Sequence, residues 1–251
     1  MFKPLLAPLG VALTLLAGWE IYCRLAEVSA MVLPPPSGVL LALLRSRGEI
    51  APHALSTLGT ATLGFSLSVL FAFAVSALLQ AAPPLRRALM PLFVATQTIP
   101  LVALAPLMIL WFGFGLLPKV LLVILVTFLP MLMSLLAGYA QVPRAFTELL
   151  TAMGASRWQI FRRATLPAAR ASFFAGLRIS ATYAIVGTIF AEYAGARQGL
   201  GIYILSAKNN FRADLVLAAV VVSALLTLTL LALLRGAERL TARGPEERLD
   251  V

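Results

Sequence analysis

Cysteine and histidine are almost missing: Cys23 and His53 are the single representatives among 251 residues. One cysteine excludes an internal disulfide and a cysteine-built metal site, and one histidine argues against histidine-based catalysis or metal ligation. Charge is scarce too, at 12% of residues against about 25% in soluble domains. No Gly-x-x-x-x-Gly-Lys-Ser/Thr phosphate loop, Gly-x-Ser-x-Gly elbow or His-Glu-x-x-His helix occurs. The apolar runs hold no pair of carboxylates fit for acid–base work. A nucleotide used by this protein must therefore be bound by another polypeptide, and the chain itself has no visible catalytic machinery.

What is present is hydrophobic. Apolar residues make up 61% of the chain and mean hydropathy is +0.95, more than a soluble domain at about 45–50% apolar can cover. The formal charge of +10 is not arranged as basic runs interleaved with aromatics, so nucleic acid is not the expected partner. An anionic membrane surface accounts for it instead. Runs near 20 residues, the length needed to cross about 30 Å of hydrocarbon, occur at Leu5 to Tyr22, Leu55 to Ala81, Leu89 to Trp111, Leu116 to Ala137, Phe173 to Ala191 and Leu215 to Leu234. The expected fold is all-α: one polytopic membrane domain, residues 1–251, of about six spanning helices.

Lys3 and the small residues Val28-Ser29-Ala30 raise the alternative of a cleaved signal peptide, but the apolar run continues to Trp19, past a signal core of about 7–15 residues. An uncleaved span is expected. Pro91, Pro100 and Pro106 should kink the third span and Pro130 the fourth. Placing both termini on one side puts 13 of the 20 lysines and arginines there against 7 opposite, so both termini are expected to be cytoplasmic.

Polar residues within the spans are few. Ser56, Thr60, Gly64, Ser68, Ala72 and Ser76 recur every four residues, a packing seam in preference to a transport lining. Thr96, Gln97, Thr98 and Pro100 fall together in the proline-broken third span, where unwound backbone can face a solute path; a plain interhelical hydrogen bond explains Gln97 as well. Glu192 is expected as a solvated helix end, and Asp214 as the N-cap of the last helix.

Between the fourth and fifth spans lies the charged segment 143–167. Phe146, Leu149, Leu150 and Met153 follow helical spacing, with Pro143 placed to open the helix and Gly154 to close it. Ser156 and Gln159 make a capping-box pattern for a second short helix ending before Pro167. Both are too short to stand alone. Lipid headgroups would suit Arg162, Arg163 and Arg170; a shaped protein groove better suits Glu148, Trp158 and the fixed caps.

The spacing of Glu148, Gly154, Leu166 and Pro167 resembles the cytoplasmic signature of ABC-importer permeases, Glu-Ala-Ala, three residues, Gly, nine residues, Ile, any residue, Leu-Pro. Leu149 and Leu150 replace its alanines and Ala164 its isoleucine. Leu33-Pro-Pro-Pro-Ser-Gly-Val39, Gln97-Thr-Ile-Pro100, Ala105-Pro-Leu, Leu110-Trp-Phe-Gly-Phe-Gly115, Gly176-Leu-Arg178, Ala191-Glu192 and Gly199-Leu-Gly-Ile202 look like the nitrate/sulfonate/taurine branch, which includes permeases for thiamine-precursor pyrimidines and riboflavin. A basic residue usual early in the second helix is absent between Thr57 and Phe65. The resemblance implies a multi-pass inner-membrane permease without cofactor of its own. Its coupling helix, with Glu148, Leu149, Leu150, Gly154, Ala155, Ser156, Leu166 and Pro167, would dock on a partner ATPase that binds ATP and Mg. One signature per chain implies a permease homodimer with two ATPase copies, served by an extracytoplasmic solute-binding protein. The competing expectation, an ion-gradient-driven secondary carrier, calls for mid-membrane ionisable groups and inverted repeats, and neither is visible.

Overall fold

The computed structural model describes the backbone of residues 3–242 and the side chains of 10–241. Lys3, Arg243 and Arg248, counted in the charge asymmetry, and the first side chains of the Leu5 to Tyr22 run lie outside the described side chains. Among the described residues every regular element is helical: α1 (Lys3–Leu25), α2 (Pro36–Arg45), α3 (Arg47–Ala81), α4 (Pro83–Thr96), α5 (Leu101–Phe112), α6 (Leu116–Tyr139), α7 (Arg144–Ala152), α8 (Arg157–Ile160), a π-helical turn (Phe161–Thr165), α9 (Leu166–Ala168), α10 (Arg170–Tyr193), α11 (Leu200–Asn209) and α12 (Ala213–Ala242).

Helices α3, α6, α10 and α12 are each long and apolar enough to cross a bilayer, and α4 with α5 form a pair bent by 99° that counts as one broken span. The described residues thus give four spans, or five with the bent pair, in place of the six expected; the remaining run falls in α1. Helix α3 begins eight residues before the expected Leu55 and carries Pro52 within it. Only the missing amide of Pro52, and hence the carbonyl of Gly48 one turn back, is lost by doing so.

The centre is a three-helix contact of α3, α6 and α10. Ala72 and Leu79 of α3 meet Met131, Leu132, Leu135 and Leu136 of α6 and Ala181 and Ala184 of α10, all essentially inaccessible. The four-residue stripe on α3 is the seam: Thr60, Gly64, Ser68, Ala72 and Ser76 are buried. Small residues matter here because lipid offers no hydrophobic drive, and attraction depends on backbones approaching closely. The polar members stay satisfied inside the bundle, Ser76 Oγ with Tyr139 Oη at 3.0 Å and Ser180 Oγ donating to the Thr127 carbonyl at 2.9 Å.

Kinks were expected at three prolines of the third span, and the structure concentrates the bend at one. Pro91 and Pro106 lie inside α4 and α5, whereas residues 97–100 leave the helix altogether. Pro100 removes the amide that Thr96 O needs and pushes Ile99 out of the α region. The local hydroxyls reinforce the break, Thr96 Oγ1 donating to Phe93 O (2.6 Å) and Thr98 Oγ1 to Ala95 O (2.8 Å). Such bonds compete with continuation of the helix.

Three smaller anchors set the periphery. Glu20, at the end of the first apolar run, accepts from Ser37 N (3.0 Å) and Ser37 Oγ (2.8 Å), tying α1 to the first turn of α2. Asp214 is not the N-cap of α12; it lies inside the first turn and pairs with Arg212 at 2.8 Å. Arg178 of α10 pairs with Glu238 of α12.

Candidate functional site

The segment joining α6 to α10 closes one end of the bundle. Helix α7 starts directly after Pro143, whose carbonyl accepts from Phe146 N and Thr147 N. It ends in a Schellman arrangement: Ala155 N–H donates to Leu150 O (3.0 Å) and Gly154 N–H to Thr151 O (2.9 Å). That pair of bonds requires Gly154 in the left-handed region, and its φ is +85°. The capping box also forms, with Gln159 N donating to Ser156 Oγ (3.3 Å) and Ser156 N to Gln159 Oε1 (2.7 Å).

The second helix does not end before Pro167. From Arg157 the chain stays helical through Ala168, because Phe161–Thr165 widens into a π turn whose closing bond runs from Leu166 N to Phe161 O. A wider turn gives the proline ring room against the carbonyl of Arg163, which an α turn would bring into contact with it. Leu166 and Phe161 pack on the central core, and Phe161 meets Tyr139 edge-on with ring centroids 5.4 Å apart.

Eight residues of this segment were singled out by sequence, and they divide by environment. Leu150, Ala155 and Leu166 are half-buried and hold the shape; Glu148, Leu149, Gly154, Ser156 and Pro167 are exposed. Alongside them Phe146, Met153 and Trp158 stand out at 47, 74 and 66% exposure. Helix α7 packs chiefly on α8, which leaves Phe146, Leu149 and Met153 about half exposed or more in the described chain.

Thr96, Gln97, Thr98 and Pro100 are brought together: all four line a cleft of ≈ 270 Å³ with Leu125 and Val126 of α6. Gln97 Nε2 donates to Leu125 O at 3.0 Å, so the interhelical bond and the cleft lining coexist in one residue. Among the described residues no donor reaches the carbonyls of Gln97, Thr98 or Ile99. This is an acceptor-rich edge on an otherwise apolar span.

A third cluster was missed. Glu192 is not a solvated helix end: it is wholly inaccessible, its carboxylate accepting from Thr57 Oγ1 (2.9 and 3.0 Å) and from Gly201 N (2.8 Å). Leu200 N donates to the same Thr57 oxygen at 2.7 Å, and His53 Nδ1 meets the Gly199 backbone, 3.0 Å from its N–H and 2.9 Å from its carbonyl oxygen. Thus the loop between α10 and α11 is fastened to α3. Glycine is needed at 199 and 201 because a Cβ at 199 would fall inside the Glu192 carboxylate, and one at 201 would lie 2.7 Å from Glu192 Cβ. The available signal was an acid ending an apolar run, followed by Gly-Leu-Gly.

With two helices held at one end by a projecting segment and at the other by a buried carboxylate, the chain can be set beside known proteins. The sequence profile described as "Binding-protein-dependent transport system inner membrane component" matches residues 64–243. The chain belongs to this family. It is 38% identical over 240 residues to a riboflavin transport system permease protein of Chloroflexus aurantiacus, covering 94% of this chain and 90% of that one. It is 33% identical to a formylaminopyrimidine transport permease protein of Halalkalibacterium halodurans, over 88% of both chains. A taurine transport system permease protein of Escherichia coli is 32% identical over 92% of this chain and 86% of its own. In fold, the permease is similar to an inward-facing MetNI methionine ABC transporter, with TM-score 0.63 and 17% identity over 74% of this chain and 95% of that one. It is an ABC-importer permease of the riboflavin, thiamine-precursor, taurine and sulfonate branch, a multi-pass membrane protein, and a translocation subunit in place of an enzyme.

Proposed function

We propose that this permease forms one half of the solute pathway of an ATP-driven importer, and that residues 143–167 are its coupling segment. The observation that carries the reading is the apolar face of Phe146, Leu149, Met153 and Trp158, left exposed on two capped helices beyond the end of the bundle. Large side chains held rigidly by a Schellman turn and a capping box suit a groove of fixed shape. The partner is an ABC ATPase, two copies serving two permease chains; it binds ATP and Mg, for which this chain offers no phosphate loop. An extracytoplasmic binding protein delivers the cargo, a small organic solute or anion of the kinds named for the relatives. The termini and the coupling segment face the cytoplasm. Thr96, Gln97, Thr98 and Pro100 line the path, where the free carbonyls at the helix break offer acceptors that solute can exchange against water.

The test is solute-stimulated ATP hydrolysis by the reconstituted transporter. Glu148→Arg and Leu149→Asp are expected to abolish stimulation while both variants insert and keep their melting temperature, since both side chains are exposed. Stimulation equal to wild type in both would refute docking at this surface.

A further inference from the structure

The end of the bundle opposite the coupling segment holds a larger cavity, ≈ 680 Å³, between the start of α6, the end of α10 and the loops beside them. It falls within the roughly 300–1,000 Å³ typical of small-molecule sites. Two of its lining residues are cations, Lys119 and Arg197, and none is acidic. Among the described residues neither cation has an ion-pair or hydrogen-bond partner, whereas Arg24, Arg178 and Arg212 all have carboxylate partners. One buried acid, Glu192, interacts electrostatically with Lys119, but it forms no ion pair with either cation, is absent from the lining, and has both oxygens engaged by Thr57 and Gly201. Two like charges with no ion-paired carboxylate on one concave, partly apolar wall repel each other and focus a positive potential into the space. That arrangement becomes favourable when an anion lies between them. Ile109 and Phe114 supply an apolar wall, and Ser56 and Gln198 neutral polar groups.

We propose that this cavity is an anion-receiving site, which accepts a sulfonate, carboxylate or phosphate group with Lys119 and Arg197 as its two cationic contacts, the carbon part of the molecule resting on Phe114 and Ile109. The direction of traffic rests on the importer reading: the cavity lies at the end remote from the ATPase surface, where delivered solute would arrive. The anionic group belongs either to a solute or to a lipid headgroup, and the experiment separates the two.

The three lysines, Lys3, Lys119 and Lys208, can be ¹³C-methylated in the full-length permease in phosphatidylcholine nanodiscs, and Lys119 assigned from Lys119→Gln. Methanesulfonate should shift the Lys119 signal saturably, leaving Lys208 unmoved. Dimethyl sulfone, similar in shape but neutral, should do nothing. Arg197→Gln, at an exposed position, should raise the methanesulfonate midpoint about tenfold, as expected on losing one charged contact. Equal responses of Lys119 and Lys208, a response to the sulfone, or an unchanged midpoint in Arg197→Gln would overturn the site. Adding phosphatidylglycerol distinguishes the sources: if it moves Lys119 and methanesulfonate does not, the cavity holds lipid headgroups and the solute proposal fails. No step of the titration needs the ATPase, so failure of the coupling-surface test would leave this result standing, and the reverse.

Discussion

Glu192 is the one charged side chain among the described residues that is fully buried. Two buried donors depend on it, the Thr57 hydroxyl and the Gly201 amide, and both belong to segments remote from each other in sequence. Glu192→Ala should therefore strand both, at about 1–3 kcal/mol each. At about 2–4 °C per kcal/mol for a chain of this size, a fall in melting temperature of several degrees is expected in detergent. Exposed Glu148→Ala should melt within a degree or so of the parent, and equal melting of the two variants would contradict the burial assigned to Glu192. The sequence shows an acid at the end of an apolar run, which in isolation reads as a helix end in water. It does not show Thr57, 135 residues away, folding over it. His53 was easier: a lone histidine argued against catalysis, and its Nδ1 sits within hydrogen-bond distance of the Gly199 backbone, fastening that loop to α3.

At the scale of elements, local signals were read well and their interruptions less so. The Gly154 turn and the Ser156–Gln159 capping box depend on neighbours within five residues, and both form as spaced. The end expected before Pro167 failed because a π turn absorbs the ring, a response the sequence does not announce. The third span shows the same limit: of three prolines only Pro100 breaks the helix, since Thr96 and Thr98 also draw carbonyls away there. Gly154 yields a prediction free of steric ambiguity, because a Cβ there would meet nothing within 4 Å. Gly154→Val should cost roughly 1–2 kcal/mol through backbone conformation alone, loosening α7 and reducing recovery of the co-expressed ATPase with the purified permease. Gly154→Asn, which tolerates the left-handed region better, should retain most of it. Equal recovery with Val and Asn would show that the turn's geometry does not matter to docking.

For the whole molecule, composition and run length were enough for an all-helical membrane bundle, because lipid as solvent imposes few alternatives on so apolar a chain. Which helices touch was not legible: the α3 stripe indicated a seam, but nothing in it named α6 as the partner. The two ends of the bundle differ in kind, one with the projecting segment 143–167 and the other with the cationic cavity, and this sets a topology test. Cys23 is the lone cysteine and is buried, so Cys23→Ser provides a background for single reporters. Arg163→Cys should react with an impermeant maleimide only from the cytoplasmic side, and Arg197→Cys only from outside. Labelling of both from one side, or of Arg163→Cys from outside, would overturn the proposed orientation.

Helix α10 joins the two ends. Its first residue follows α9 and the π turn with only Ala169 between, and its last turn carries Glu192. At 24 residues it is about 36 Å long, and α6 packs along it from Gly138 against Ala169 and Ser172 to Val126 against Gly187. It is therefore a single rigid strut between the Trp158 end and the Gly199 loop. A tilt of about 5° about one end moves the other by roughly 3 Å on that length, comparable to the hydrogen bonds by which the carboxylate holds the loop.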